Sequence, residues 1–192
     1  MLWSDESTFR LIRGTCKRVR RPFKSDQYHP SFNVRIVKHP CLVMVWACFS
    51  GKDGRAGLEF LPRNVTMNST RYTAILERKM LPWYRGRNCS FFMQDGAPCH
   101  KSGHSMGWLA EKEVRVLDWP GNSPDLNPIE NFWCIMKNKL EEKEKKNMEE
   151  LKNKIVEIWC TEVTGEYCRA LARSMPARCA AVIKAGGGAT KY

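Results

Sequence analysis

The chain lacks any apolar run near the ~18 residues that a membrane span requires, so no membrane partner is expected. Asp5 and Glu6 stand where a secretory leader would carry its apolar segment, and the chain reads as intracellular. The sequons at Asn64, Asn68 and Asn88 are then chance matches. Nine cysteines contain no C-x-x-C pair. Such an odd, unpatterned set reads as reduced thiols rather than a disulfide framework. Cys99, His100 and His104 cluster in sequence, but no fourth ligand accompanies them, so zinc is not expected. No internal repeat is visible. Acids are scarce: 20 Asp and Glu face 32 Lys and Arg, for a net charge of +12. That balance favours an anionic partner, nucleic acid ahead of a membrane surface.

What is present is a globular composition. Hydrophobic residues make up 43% of the 192, with seven Trp and eight Phe. This length suits one domain, able to bury roughly 70% of its unfolded surface. We expect a core over residues 1–145 and a helical extension of the same domain over 146–192.

The hydrophobic pattern predicts an α/β architecture. Residues 1–12 read as a strand crossing Asp5. Lys17-Arg18-Val19-Arg20-Arg21 reads as a basic strand edge, whose charge either prevents edge pairing or meets nucleic acid. Residues 26–40 read as a loop punctuated by Pro30 and Pro40. Leu42 to Phe49 is nearly continuous apolar sequence, as in a buried central strand. After a Gly-rich turn, Gly57 to Pro62 alternates and reads as its hairpin partner. A helix capped by Asn68 or Ser69 follows, with Tyr72, Ile75, Leu76 and Met80 at helical spacing, and Pro82 ends or kinks it. Ser90 to Gln94 is a fourth strand. Residues 101–113 form a helix with Met106, Leu109 and Ala110 inward. Val114 to Leu117 is a fifth short strand. Asn127 caps a helix with Pro128 at its first position and Ile129, Phe132, Trp133, Met136 and Leu140 as its buried stripe. A mixed-charge run breaks near Asn147. Helices over 148–163 and 166–185 complete the chain, the latter interrupted by Pro176. Three early antiparallel strands, then alternating helix and strand, suggest a sheet with helices packed on it.

Three acids occupy unusual settings in so basic a chain. Asp5 lies on the first strand, Asp95 ends the apolar run from Ser90, and Glu130 lies inside a helix start. Phosphodiester cleavage needs an activated hydroxyl and a stabilised leaving oxygen, which two divalent metal ions held by carboxylates provide. Asp5 and Asp95 become neighbours if their strands pair. Each acid also has a plainer reading. Glu130 sits where a capping-box Glu belongs, and the two Asp could be turn residues. On pattern alone Asp118, Asp125 and Glu130 are equal candidates for the third carboxylate.

Four segments carry a family resemblance: Trp3-Ser4-Asp5-Glu6-Ser7, Val43 to Ser50, Gln94-Asp95-Gly96-Ala97-Pro98-Cys99-His100, and Trp119 to Asn131. The closing Thr190-Lys191-Tyr192 matches too. Over nearly its whole length the chain resembles the catalytic domain of Tc/mariner transposases, on the Tc-like branch. The resemblance implies an RNase H-like mixed sheet flanked by helices and an Asp-Asp-Glu site. In the Tc-like branch 34 residues separate the second Asp from the Glu, and 34 lie between Asp95 and Glu130. The resemblance thus selects Glu130. It implies that Asp5 and Asp95 jointly hold two Mg²⁺ or Mn²⁺ ions and that Glu130 completes the site.

The implied reaction is cut-and-paste DNA transposition: water hydrolyses DNA at the element's ends, and the freed 3′-hydroxyl attacks a target at a TA step. The implied setting is nuclear, with a homodimer on DNA. Pro124 and Pro128 would aim Glu130, Gly96 and Pro98 would turn the chain after Asp95, and Trp119 would be core. His100 would meet a phosphate or serve the structure. Family members also carry paired-like helix-turn-helix modules that read the terminal repeats. No counterpart precedes Met1, so a shortened chain without end recognition, and a first strand cut close to Asp5, are expected. A catalytically silent nucleic-acid-binding derivative is the alternative. An unrelated RNase H-like nuclease conflicts with the Trp119 to Asn131 segment.

Overall fold

Strand β1 (Leu2–Arg10) sets the two faces of the molecule. Successive strand residues point to opposite sides. Trp3 and Phe9 therefore enter one core cluster and Leu2 the other. The computed structural model describes residues 1–11, 41–121, 123–141 and 147–192. The expectations for residues 17–21, 26–40 and 142–146 lie outside these.

β1 runs nine residues and pairs antiparallel along its length with β2 (Leu42–Ser50), Asp5 opposite Ala47. β2 pairs antiparallel with β3 (Gly54–Phe60), which starts three residues before the expected Gly57. Gly54 makes this turn possible, since its φ of +92° suits glycine. β4 (Phe92–Met93) pairs parallel to β1, Leu2 opposite Phe92 and Trp3 opposite Met93. The sheet order is β3-β2-β1-β4. β1 is thus interior, and its end partner delivers Asp95 two residues beyond Met93.

The expected fourth and fifth strands are shorter than their apolar patterns. β4 has two residues, and the 114–117 segment keeps a single bridge, Val116 to Phe92. The Phe92 N–H donates to the Arg115 carbonyl, and the Phe92 carbonyl accepts from Leu117. Around these bonds the chain turns away on both sides.

On one face lie α1 (Ser69–Ile75), a π-helical turn (Leu76–Met80), α2 (Leu81–Gly86) and α3 (Gly103–Glu111). Asn68 caps α1 by accepting from the Arg71 N–H. Pro82 does not end this helix. The Leu81 N–H reaches back to the Leu76 carbonyl, five residues away. This wide turn relieves the clash that a proline ring makes with the carbonyl four residues earlier. In α3 the inward residues are Ser105 and Leu109, whereas Met106 and Ala110 face outward. Ser105 bonds the Cys99 carbonyl, which rotates that face inward.

On the other face lie α4 (Ile129–Glu141), α5 (Met148–Glu162), α6 (Gly165–Arg173) and α7 (Met175–Lys184). Asn147 and Thr164 cap α5 and α6, and Pro176 opens α7 rather than breaking a longer helix. Ile129, Phe132, Trp133 and Met136 of α4 are buried, and Leu140 is half-buried. Leu151, Ile155, Ile158 and Trp159 of α5 join them with Val43, Val45 and Phe49 of β2 in one cluster. No described helix is long and apolar enough to cross a membrane.

Phe132 sits at the centre of this cluster. Its ring meets Phe49, Tyr167 and Trp159 edge-on, at 4.9, 5.3 and 6.0 Å. Phe132→Ala should cost about 3–5 kcal/mol, measured by urea unfolding. A loss under about 1 kcal/mol would show that this cluster does not hold the C-terminal helices to the sheet.

Candidate active site

Asp5 leaves β1 on the α4 side. Its Oδ2 accepts the Trp133 indole N–H at 3.0 Å. Burial, with the neighbouring carboxylates of Glu6 and Glu130, pushes its carboxyl up to about 7. Asp95 follows β4. Its Oδ1 accepts from the Ala97 N–H at 2.9 Å and from the His100 Nδ1 at 2.6 Å. The His100 bond holds its carboxyl below the usual range, against partial burial. Each Asp is anchored by these bonds, and the Glu6 backbone N–H also favours the Asp5 carboxylate.

Glu130 projects from the first turn of α4. Asn127 opens that turn, its Oδ1 accepting from the Ile129 N–H at 3.4 Å. A capping-box Glu would return to the Asn127 N–H. That N–H is already used, donating to the Pro124 carbonyl at 3.0 Å. The geometry thus sets aside the capping reading of Glu130. Asn127 also donates from Nδ2 to the Ser4 carbonyl at 3.5 Å, tying the start of α4 to β1 beside Asp5.

Asp5, Asp95 and Glu130 line one cleft of about 530 Å³. Asp125 lies outside it, its carboxylate accepting from Thr190, and Asp118 lines an adjacent pocket. Trp119, expected in the core, is only partly buried and forms part of the cleft wall. Lys101 is the one basic side chain on that wall among the described residues.

The donor set fits hard divalent cations. The three acids offer oxygen ligands only, the kind Mg²⁺ and Mn²⁺ prefer. Burial first, and then the nearby carboxylates of Glu6 and Glu130, disfavour a bare charge on Asp5, a cost that a bound cation would offset. The carboxylates surround the cleft without closing on one point. Among the described residues, no three His, Cys, Asp or Glu side chains converge tightly enough to cage an ion.

Glu6 was missed by the sequence reading. As the neighbour of Asp5 it leaves β1 on the opposite face. There its Oε1 meets the His100 Nε2 at 3.2 Å. His100 is buried, its ring stacked on Tyr72 at 4.0 Å. Both ring nitrogens face carboxylate oxygens, so both must donate, and the ring is an imidazolium. Burial opposes that charge, but the bonds to Asp95 and Glu6 outweigh it and lift the ring to about 10. His100 is therefore a bridge between two acids. His104 is separate, its Nε2 lying 3.3 Å from the Thr73 hydroxyl. The clue to Glu6 was an acid at an inward strand position, which demands a buried partner.

His100→Ala would leave Glu6 nearly buried with no cation beside it. We expect a loss of about 3 kcal/mol in metal-free buffer, read by urea unfolding, because breaking a buried ion pair strands its partner. Adding Glu6→Gln should recover part of that loss. No recovery would mean that the Glu6 bond is not what His100 contributes.

Comparison with known proteins follows the same lines. A family model for the DDE superfamily endonucleases matches residues 1–152. The Tcb1 transposase of Caenorhabditis briggsae is 40% identical over 198 residues, covering 100% of this chain and 70% of that protein. The Tc1 transposase of Caenorhabditis elegans is 38% identical over 197 residues, with the same coverage. A crystal structure of the mariner Mos1 paired end complex with Mg superposes with a TM-score of 0.81 at 20% identity, covering 99% of this chain. The chain spans 56% of the length of that Mos1 chain. The isolated Mos1 catalytic domain gives a TM-score of 0.72 at 19% identity, covering 99% of this chain and 83% of that domain. The fold is the RNase H-like one that the motifs implied, and the chain belongs to the DDE superfamily of endonucleases, within the Tc/mariner group of transposases.

Proposed function

We propose that this chain is the catalytic core of cut-and-paste DNA transposition, with Asp5, Asp95 and Glu130 as its metal-binding carboxylates. The observation that carries the reading is their meeting in one cleft from three separate elements. Mg²⁺ or Mn²⁺, two ions when loaded, would supply charge neutralisation and activation of the attacking hydroxyl. Asp5 and Asp95 would bind through carboxylate oxygens oriented by Trp133, Ala97 and His100. Glu130 would complete the set from α4.

The remaining residues orient and hold. Trp133 and His100 keep the two Asp from rotating. Lys101 offers a positive contact to the DNA phosphate beside Asp95. Trp119 and Pro120 line the same cleft and would flank the DNA strand. The basic surface supplies the sequence-independent attraction that brings DNA to the cleft. The substrates on this reading are transposon ends, then a TA target, with a homodimer as the working unit in the nucleus. Residues 1–145 form the core and 146–192 an extension of the same domain.

Purified protein should nick labelled duplex DNA with Mg²⁺ or Mn²⁺ and not in EDTA. Asp95→Ala and Glu130→Gln should reduce nicking to background. Equal cleavage by folded wild type and Asp95→Ala would remove Asp95 from the mechanism. A folded wild type that binds DNA without nicking it would instead favour a silent DNA-binding role. Affinity for a random duplex should fall at least about tenfold between about 50 and 200 mM salt. A flat response would refute binding through the basic surface.

A further inference from the structure

Arg178 of α7 is 2% exposed. Its guanidinium donates from Nη1 to the Asp125 carbonyl at 2.8 Å and from Nη2 to the Asn131 Oδ1 at 2.6 Å. Nε donates to the Ser174 hydroxyl at 2.9 Å. All three acceptors are uncharged. A buried cation whose hydrogen bonds all go to neutral acceptors, with only the longer-range charge of Asp125 to support it, is a poor stabilising device, because its desolvation is costly. What the guanidinium does well is span two segments with one rigid fork.

Those two segments flank Glu130. Asp125 lies in the 3₁₀ turn of Pro124–Leu126, and Asn131 lies in the first turn of α4. Between them the chain runs through Asn127, Pro128 and Ile129 to Glu130. Glu130 separates the carboxylate cleft from a second cavity of about 430 Å³, walled by the C-terminal residues Thr190 and Tyr192. The turn is buried through Leu126, Asn127 and Ile129, and the open space lies on the two sides of Glu130 itself. The C-terminal segment reinforces the fork. Thr190 donates to the Asp125 Oδ2 at 2.9 Å, and the Tyr192 ring lies 4.8 Å from the guanidinium.

We propose that Arg178 is a positioning residue for Glu130: it clamps Asp125 to Asn131 and so fixes the third carboxylate at the cleft. The C-terminal helix and tail then belong to the working site rather than to its support alone. This rests on the reading of Glu130 as a metal ligand. Residues that orient a metal ligand, when lost, weaken metal affinity by about 10–100-fold.

The test is a double-mutant cycle on Mn²⁺ affinity, measured by isothermal titration. The proteins are wild type, Glu130→Gln, Arg178→Met and the double variant, each shown to be folded by circular dichroism. We expect Arg178→Met to weaken Mn²⁺ binding about tenfold in the wild-type background. In the Glu130→Gln background it should add nothing further, although its effect on unfolding persists. A merely structural role would not make the metal effect depend on Glu130. Unchanged affinity in folded Arg178→Met, or the same loss in both backgrounds, would overturn the proposal while leaving Glu130 as a ligand. Unchanged affinity in Glu130→Gln would overturn the ligand reading itself, and the proposal with it. Should Arg178→Met fail to fold, Asn131→Ala removes one arm of the clamp with Arg178 in place, and the same cycle applies.

Discussion

Successive side chains on a strand point to opposite faces, and β1 carries two adjacent acids at its centre. Everything near the cleft answers to that constraint. Asp5 enters the α4 side and Glu6 the α1 and α3 side, and neither is fully solvated. Each needs its own donor, because an unpaired carboxylate away from water is costly. Trp133 serves Asp5 from α4, and His100 serves Glu6 from the loop after β4. His100 then extends to Asp95, so an acid on one face orients an acid at the end of the neighbouring strand. The β1–β4 pairing is two residues long, yet this side-chain bridge continues the link beyond it.

Glu130 had two sequence explanations, a helix cap and a cleft ligand. A capping residue needs a free N–H at Asn127, and the 3₁₀ turn before α4 consumes that N–H. Pro124 provides the accepting carbonyl, so the turn that ends in Asn127 is what releases the Glu130 side chain. The same Asn127 side chain bonds the Ser4 carbonyl. One residue therefore both starts α4 and sets its distance from β1, which is why Glu130 and Asp5 face the same space.

Much of this was legible in the chain. The apolar stripe of α4, the buried β2 and the caps at Asn68 and Asn127 are local patterns, set by periodicity and side-chain chemistry within one turn. The lengths of β4 and the 114–117 segment were not, because pairing depends on a partner strand and not on the segment's own apolarity. The π turn before Pro82 was hidden for a related reason: a proline announces a clash but not how the backbone relieves it. In the site, Asp5, Asp95 and Glu130 stood out by their settings, and only the spacing implied by the family resemblance chose Glu130 over Asp118 and Asp125. The partners of Glu6 and Arg178 were invisible, since they lie 94 and 47 residues away in sequence. Burial of a charge is a tertiary fact, and no local pattern reports it.

The charge pattern carries its own argument for a cation. The chain as a whole is strongly basic, so its field draws a polyanion inward. The cleft reverses that sign locally, with three carboxylates and one lysine on its walls. A phosphate brought to about 4 Å from one bare carboxylate would meet about 4 kcal/mol of repulsion at an effective dielectric of about 20. Lys101 can offset only one such term. Asp5 is already held up to about 7 by burial and, after it, by its neighbouring carboxylates. An acidic cleft in a basic surface is thus unfavourable for DNA by itself and becomes favourable when divalent charge is added. On the reading proposed for the three acids, one arrangement of charge serves both ends: the surface recruits the strand, and the cleft admits it only together with the ions that the chemistry requires.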